Sequence, residues 1–485
     1  MNFLLKNKAV RCALSIALPA GILVGMGSMA SGAEPAAAPS ITLANALEYA
    51  LTRNADVQRL AMRVDEKAWG LQGAEAALLP VAFPVGDMGV SESSRQATYG
   101  AGVRQKAPWG TQAEVKGVVD TLQFEGQDAS RRSRVVVSLE QPLFRNAGSL
   151  VQQEPVRRAE SARMAARREY ALFRTDLIVN VAQGYEALYR LQIECRYAGE
   201  SLERLNRLYY LTRVREAQGR TSRLEALRAE QKKGNAEIRL VKAREQEKRQ
   251  QAEFAGLLGF PPEQLFTLQS CPVLGVTLLG FAPSEALALS NRLDYAQILA
   301  DYEDARRGVA VARHYLLPDL NAITRYEWRD NVENAGNNPE WARDGWFVGL
   351  AARSDWPPRE EQARLEQAKI NAQLATLEIE TVRRAIGRQV RETIRAYERL
   401  AAEVPLAEQS FALAGKRAQL ARRLFEMGRG NSQDVMDAEE ALQTAETQLL
   451  VVQSESSVAG YQLLRAMGIL EECPADLKAP GRDML

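Results

Sequence analysis

Few residues of this chain are suited to covalent or metal chemistry. The single histidine, His314, stands just before the Leu316-Leu317-Pro318 break, and a lone histidine beside a helix end is expected to be structural. No Cys-x-x-Cys occurs, which closes that route to a zinc site or a redox pair. Gly415-Lys416 lacks both the upstream glycine and the following hydroxyl of a phosphate-binding loop. Carboxylates are abundant, but they are interspersed with Lys and Arg as on solvated helix faces. Cys195 lies in a helical stretch and reads as an inert buried thiol. Cys271 and Cys473 each precede a proline and each follow the end of one half of the chain. An oxidising location would permit a disulfide between them if their Cα atoms come within about 7 Å. The expectation is a non-enzyme with no cofactor, no metal and no catalytic residue.

The elements that carry these residues occur twice. Asp56 leads to Leu78-Leu79-Pro80, and Asp294 leads at the same spacing to Leu316-Leu317-Pro318. Leu211 stands eight residues before Gly219, and Leu420 stands eight before Gly428. At the third residue after each glycine come Ser222 and Asn431, and at the sixth Glu225 and Asp434. Two marker pairs in the same order predict two copies of one unit of long helices interrupted by extended chain, over 34–270 and 271–485.

Residues 1–33 have the layout of a secretory signal. Lys6, Lys8 and Arg11 precede an apolar stretch from about Cys12 to Met26, and small residues follow, with cleavage expected after Ala33 or Ala30. The apolar run is shorter than the ~20 residues of a spanning helix. Lys plus Arg number 62 and Asp plus Glu 61, a balance that argues against nucleic acid as a partner. No later segment reaches 18 consecutive apolar residues, so entry into a membrane would require a closed β-barrel.

Helix is expected over 42–79, ended by Pro80 and Pro84. Extended chain follows over about 81–142: the stretches 99–103 and 113–117 flank the turn signal Ala107-Pro108-Trp109-Gly110, and 135–139 forms a further strand. Helices over 149–218 and 222–258 would be about 105 Å and 55 Å long at 1.5 Å per residue. In the second half, strands are expected within about 319–356. Leu320, Ala322, Thr324, Tyr326 and Trp328 face one way and Asn321, Arg325 and Glu327 the other, with Ile323 as the exception. That alternation suits a wall with lipid on one side and water on the other. Trp109, Trp328, Trp341, Trp346 and Trp356 lie in or beside the extended segments, as in an interfacial aromatic belt. A soluble β-subdomain with an aromatic core is the alternative. The last helix carries five heptads, with Ala438, Ala445, Val452, Ala459 and Ala466 at a and Leu442, Leu449, Ser456, Leu463 and Leu470 at d, which predicts coiled-coil packing.

Together these residues resemble the TolC family of outer-membrane channel proteins over essentially the whole mature chain. The resemblance rests on the paired Leu-Leu-Pro breaks and on Gln141-Pro142-Leu143-Phe144-Arg145, where a strand hands over to a long helix. It rests also on Gly219-x-x-Ser222-x-x-Glu225 and Gly428-x-x-Asn431-x-x-Asp434-Val435-x-Asp437. The fold it implies is mainly α with a β-barrel portion: a duplicated helix–strand–helix unit, trimeric, with a 12-stranded outer-membrane β-barrel continued by a long periplasmic α-helical coiled-coil barrel. Four strands per chain cannot close alone, since small barrels need about eight.

The resemblance further implies that Gly219 and Gly428 are hairpin turns at the periplasmic tip. There Gly219, Arg220, Gly428 and Arg429 would meet an adaptor protein, and Asp434, Asp437 and Glu225 would form an acidic constriction. Where that family's tip has a tyrosine and an arginine, this chain has Phe425 and Gly430. A tip held shut by Arg429 and Arg220 pairing with Glu225 and Asp434 is therefore expected. The function implied is that of an outer-membrane exit duct in a tripartite efflux system, with a periplasmic adaptor and an inner-membrane pump as partners. A type I protein-secretion duct and a pore-less periplasmic scaffold are the alternatives.

Overall fold

The computed structural model of the chain describes residues 40–125, 130–269, 276, 280–330, 341–354 and 357–470. The signal segment 1–33 and the pair Cys271 and Cys473 lie outside the described residues. The first repeat runs β1 (Ser40–Ile41), α1 (Leu43–Arg53), α2 (Ala55–Ala76), β2 (Val81–Val90), β3 (Ser94–Lys106), β4 (Gln112–Phe124), β5 (Ser130–Pro142), α3 (Ser149–Gln152), α4 (Glu154–Ala217) and α5 (Arg223–Leu258). The first repeat ends on β6 (Thr267–Leu268), and the second runs α6 (Phe281–Asn291), α7 (Leu293–His314), β7 (Asp319–Asp330), β8 (Trp341–Arg353), α8 (Arg359–Glu426) and α9 (Ser432–Ala466).

The duplicated motifs correspond to duplicated elements. Helices α1 and α6 have 11 residues each, and α2 and α7 have 22 each. Helices α4 and α8 have 64 and 68, and α5 and α9 have 36 and 35. At 1.5 Å per residue α4 and α8 are each about 100 Å long. Helix α4 starts at Glu154 rather than at Ser149, because Pro155 in its first turn lacks the N–H that would continue α3. Asp56 and Asp294 occupy the first turns of α2 and α7, where a carboxylate meets the positive end of the helix dipole. Asn54 closes α1 and caps α2, its Oδ1 accepting from the Asp56 N–H at 2.9 Å.

The six strands β2-β3-β4-β5-β7-β8 form one antiparallel sheet in that order. This corrects the count of four strands per chain behind the twelve-stranded expectation. Segment 81–142 folds into two hairpins, β2–β3 and β4–β5. Pro84, Gly86 and Gly89 obscure β2 in the sequence, because proline and glycine are poor strand formers.

Below the sheet, the Tyr185 hydroxyl donates to the carbonyl of Ile41 or of Gln269, at 2.9 and 2.6 Å, joining both ends of the first repeat. Tyr185, Phe254, Leu188 and Leu258 form the centre of a buried cluster there. Helix α9 buries Ala438, Leu442, Val452, Ser456, Ala459, Leu463 and Ala466, as the heptad predicts. It also buries Glu439 and Glu446, which a two-helix coil would leave in water, because α9 packs against both α8 and α4.

Candidate functional site

Two regions carry function-bearing geometry: the sheet and the ends of the long helix hairpins. Residues directly opposite in register share a face of the sheet. One face collects Met88 and Val90 of β2, Tyr99 and Val103 of β3, Val115 and Val119 of β4, Val135 and Val137 of β5, Tyr326 and Trp328 of β7, and Trp346 and Val348 of β8. The opposite face collects Arg104, Glu114, Lys116, Asp120, Arg134, Arg325 and Glu327. On it Asp120 accepts from Thr98 at 2.8 Å and pairs with Arg134 at 3.2 Å, while Lys116 pairs with Glu114 at 3.0 Å. The alternation predicted for β7 is observed; at the two edge strands it lapses, with Val81, Phe83 and Val85 of β2 and Phe347 of β8 on the charged face.

Aromatic residues mark both ends of the apolar face. Tyr326 and Trp328 stack edge-to-face at 4.3 Å toward the far end. Trp109 sits at the helix-side turn, where its carbonyl accepts from the Gly148 N–H at 3.0 Å. The stretch from Asp319 to Trp328 spans about 30 Å along the strand at ~3.3 Å per residue, or roughly 23 Å vertically at the usual barrel tilt. That height matches the ~25 Å apolar band of a membrane barrel.

The sheet is tied to the helices through the Gln141–Arg145 motif. The Leu143 N–H donates to the Leu320 carbonyl at 2.8 Å, and the Arg145 N–H to Pro318 at 3.2 Å. The Arg145 side chain donates to the Leu317 carbonyl at 3.0 Å and pairs with Glu361 at 3.2 Å. The first repeat's strand exit thus grips the second repeat's Leu-Leu-Pro break. His314 hydrogen-bonds the Phe144 carbonyl at 2.9 Å in the same junction, which is the structural role expected of it.

At the hairpin ends the repeated glycine motif has a physical explanation. Gly219 and Gly428 have φ of +69° and +75°, a left-handed conformation that favours glycine. Arg220 N–H donates to Arg215 O, and Arg429 N–H to Leu424 O, both at 2.9 Å, closing the same helix-terminating turn. Ser222 and Asn431 then cap α5 and α9, and Glu225 and Asp434 are the acids of their first turns. Asp434 and Asp437 are exposed on one face of α9, and Arg220 and Arg429, in the two turns, are exposed as well.

Glu225 accepts from the buried Ser432 hydroxyl at 3.0 Å, which links the two hairpins. Within the chain no ion pair joins Arg220 or Arg429 to Glu225 or Asp434 among the described residues. A contact that sequence reasoning missed joins the two hairpins near their ends. Arg215 at the end of α4 lies over the Phe425 ring at the end of α8, 4.1 Å from its centre.

A profile of outer membrane efflux proteins matches residues 285–469. The second repeat is thus similar to outer membrane efflux proteins. The fold of the described chain is that of solved outer membrane channels. The outer membrane protein VceC of Vibrio cholerae aligns at a TM-score of 0.66 and 18% identity, over 88% of this chain and 96% of that one. The CmeC outer membrane channel of Campylobacter jejuni gives 0.66 and 15%, over 89% and 86%. The open-state MtrE outer membrane channel of Neisseria gonorrhoeae gives 0.63 and 16%, over 88% and 89%. No curated protein sequence matches the chain. The outer membrane efflux proteins are channels and not enzymes, and the TolC-like fold expected from the duplicated motifs is the one observed.

The helical portion also holds buried acids that no sequence pattern marks. Glu439 of α9 receives Arg204 of α4 at 2.9 Å and Arg422 of α8 at 3.2 Å. Burial pushes the Glu186 carboxyl up to about 7, against the opposing hydrogen bond from Ser457. Burial likewise pushes Glu446 up to about 6, with Arg204 opposing. Cys195 is half-buried rather than buried, and burial raises its thiol pKa, which disfavours the thiolate.

Proposed function

We propose that the protein is the outer-membrane exit duct of a tripartite efflux system, working as a homotrimer. The observation that carries this reading is the sheet with one apolar and one charged face, joined to helices about 100 Å long. The apolar face would meet lipid, the charged face would line a water-filled lumen, and the helices would continue the conduit through the periplasm. A pore-less scaffold would have no use for such a face.

The hairpin ends supply the remaining parts of the reading. Gly219, Arg220, Gly428 and Arg429 lie at the turns and are proposed as the contact for a periplasmic adaptor, which couples the duct to an inner-membrane pump. Asp434, Asp437 and Glu225 of three copies would gather carboxylates around the axis, favouring cations and repelling one another where the ring narrows. Cys271 and Cys473 are proposed as a disulfide of the exported protein. The cargo class is small molecules or ions.

The test combines fractionation with conductance. Protein recovered from outer membranes in detergent should form trimers and conduct in planar bilayers, and deletion of its gene should raise sensitivity to exported compounds. Recovery as a detergent-free soluble protein would sink the duct. Loss of a secreted protein, with compound sensitivity unchanged, would point to type I secretion instead.

A further inference from the structure

Arginine is costly on a lipid-facing strand, and the cost falls toward the two ends of the wall. The apolar face of the sheet carries two arginines, both at the end away from the helices. Arg95 of β3 stands opposite Val90 of β2 and Gln123 of β4, and Arg131 of β5 stands opposite Thr121 of β4. Both are exposed. At the helix-side end of the same three strands this face carries Gln105, Ala113 and Leu139 instead. Positive charge on β3, β4 and β5 is therefore confined to one rim of the face.

Arg131 is held in place. Its Nη2 donates to the Tyr99 hydroxyl at 2.5 Å, and its guanidinium carbon lies 5.9 Å from the centre of that ring. Tyr99 belongs to β3, so the side chain reaches across β4 toward the strand of Arg95. Two strand spacings and one rung separate the two arginines, about 12 Å at Cα, so both side chains can meet on one small group. Thr121 and Gln123 lie between them on the same face and add a hydroxyl and an amide. Among the described residues no acid pairs with Arg95 or Arg131, the exposed Glu92 and Glu125 at the nearby turns included. On the opposite face Arg134 is paired with Asp120 and Arg329 with Glu327. The outward Asp344 stands opposite Trp328 on β8, two strands beyond β5.

Two cations and several neutral donors, with no carboxylate among them, are complementary to a phosphate, which guanidinium groups grip through two parallel hydrogen bonds. The place on the wall selects the source of that phosphate. An apolar surface below and a cationic rim above fit a lipid whose chains lie along the strands and whose headgroup is anionic. At the far end of an outer-membrane wall the lipid is a phosphorylated glycolipid. We propose that Arg95 and Arg131, with Tyr99 positioning Arg131, bind a headgroup phosphate of the outer-leaflet glycolipid. The proposal rests on the outer-membrane duct proposed above. Such a contact ties the wall to its leaflet and sets its depth from the outside, where Tyr99 alone would anchor it weakly.

Lipid binding to the detergent-solubilised protein tests the site. The protein is titrated with bisphosphorylated lipid A and with the same lipid stripped of its phosphates, and bound lipid is counted by native mass spectrometry. Wild type should prefer the phosphorylated lipid. Arg95→Gln with Arg131→Gln should weaken that binding about tenfold or more, since two basic contacts to an anionic group are lost. Tyr99→Phe keeps the ring, loses the hydroxyl and should fall between. Arg325→Gln, which removes a cation from the opposite face, should bind like wild type. Excess inorganic phosphate should leave the lipid bound. No preference for the phosphorylated lipid overturns the proposal, and so does a double variant that binds like wild type or an equal loss in Arg325→Gln. Displacement by inorganic phosphate would make this a free-anion site and overturns the headgroup assignment. A chain recovered soluble without detergent overturns the duct and this site together. A membrane-inserted, conducting protein that ignores lipid phosphate overturns this site alone.

Discussion

The Arg215 guanidinium lies 4.1 Å from the centre of the Phe425 ring and donates to the Phe425 carbonyl at 2.6 Å. It also reaches the Glu426 carbonyl at 3.3 Å, so one cation satisfies the last turn of α8. This contact crosses between the two helix hairpins, and it needs no hydroxyl on the ring. A cation–π contact of ~0.5–2 kcal/mol and a charged hydrogen bond of ~1.5–3 kcal/mol set its scale.

Arg215→Ala is expected to loosen the tip and raise open probability in planar bilayers several-fold. Arg215→Lys should fall between, since an ammonium keeps the charge but loses the planar fork. Equal gating of all three proteins would remove Arg215 as the tip contact.

Glu439 should behave as a buried staple among three helices. Glu439→Ala leaves Arg204 and Arg422 without the carboxylate between them, with Glu200 still 3.8 Å from Arg204 and the Ala418 carbonyl on Arg422, a loss of up to about 3–5 kcal/mol for a buried pair broken on one side. Replacing all three together, Glu439→Leu with Arg204→Met and Arg422→Met, should recover much of that stability. Helix unfolding followed by circular dichroism would show the difference. A triple variant no better than Glu439→Ala would contradict the account.

How much of this was readable beforehand follows the range of the interactions. The repeats, the glycine turns and the alternation of β7 are local patterns, and each motif residue has a local role: Gly428 ends a helix, Asn431 caps the next and Asp434 meets its dipole. The α9 heptad was legible for the same reason. Arg215–Phe425 joins residues 210 apart in the chain, and Glu439–Arg204 joins residues 235 apart. No spacing rule reports such pairs. The buried position of Glu439 also depends on a third helix that a two-helix heptad does not anticipate. Strand β2 was hidden by its Pro and Gly content, which pairing with β3 overrides.

The raised acids give a pH dependence of defined sign. Glu186 titrates near 7 and Glu446 near 6 in the folded protein, each from an ordinary value of 4.5. A raised carboxyl binds its proton more tightly when folded, so its stabilising contribution is complete below about 4.5 and is lost as pH rises through the folded value. These two groups should therefore lower the melting temperature of the helical portion between pH 5 and pH 8. Glu186→Gln should flatten that slope between about pH 4.5 and 7, and should remove most of it above about pH 6, where Glu446 no longer contributes. A slope that is identical in wild type and variant would rule out Glu186 as its source.

The tip turns should tolerate substitution unequally. At Gly428 nothing stands within 4 Å of an added Cβ, so Gly428→Ala bears only the left-handed backbone penalty of about 1–2 kcal/mol. At Gly430 an added Cβ would sit 2.9 Å from the Phe425 nitrogen and 3.1 Å from the Leu424 carbonyl carbon, both backbone atoms that cannot swing away. Gly430→Ala must shift the end of α8 and with it the ring under Arg215. We expect Gly430→Ala to alter gating more than Gly428→Ala does, measured as open probability in the same bilayers. The reverse order would mean that the turn conformation, rather than the close approach at Gly430, controls the tip.

Asp434 and Asp437 are both exposed, Gln433 donates to Asp437 at 2.9 Å, and among the described residues neither is paired with a cation of its own chain. Their charge is thus free to act on whatever passes. If three copies bring them around one axis, neutralising them removes most of the local negative field without removing a helix cap, because Asn431 holds that role. Asp434→Asn with Asp437→Asn should leave folding intact and lower the cation-to-anion permeability ratio, read from reversal potentials in a salt gradient. The effect should shrink at high ionic strength, where the screening length falls to about 3 Å at 1 M salt. An unchanged ratio at low salt would place the selective constriction elsewhere, with the charged face of the sheet the next region to test.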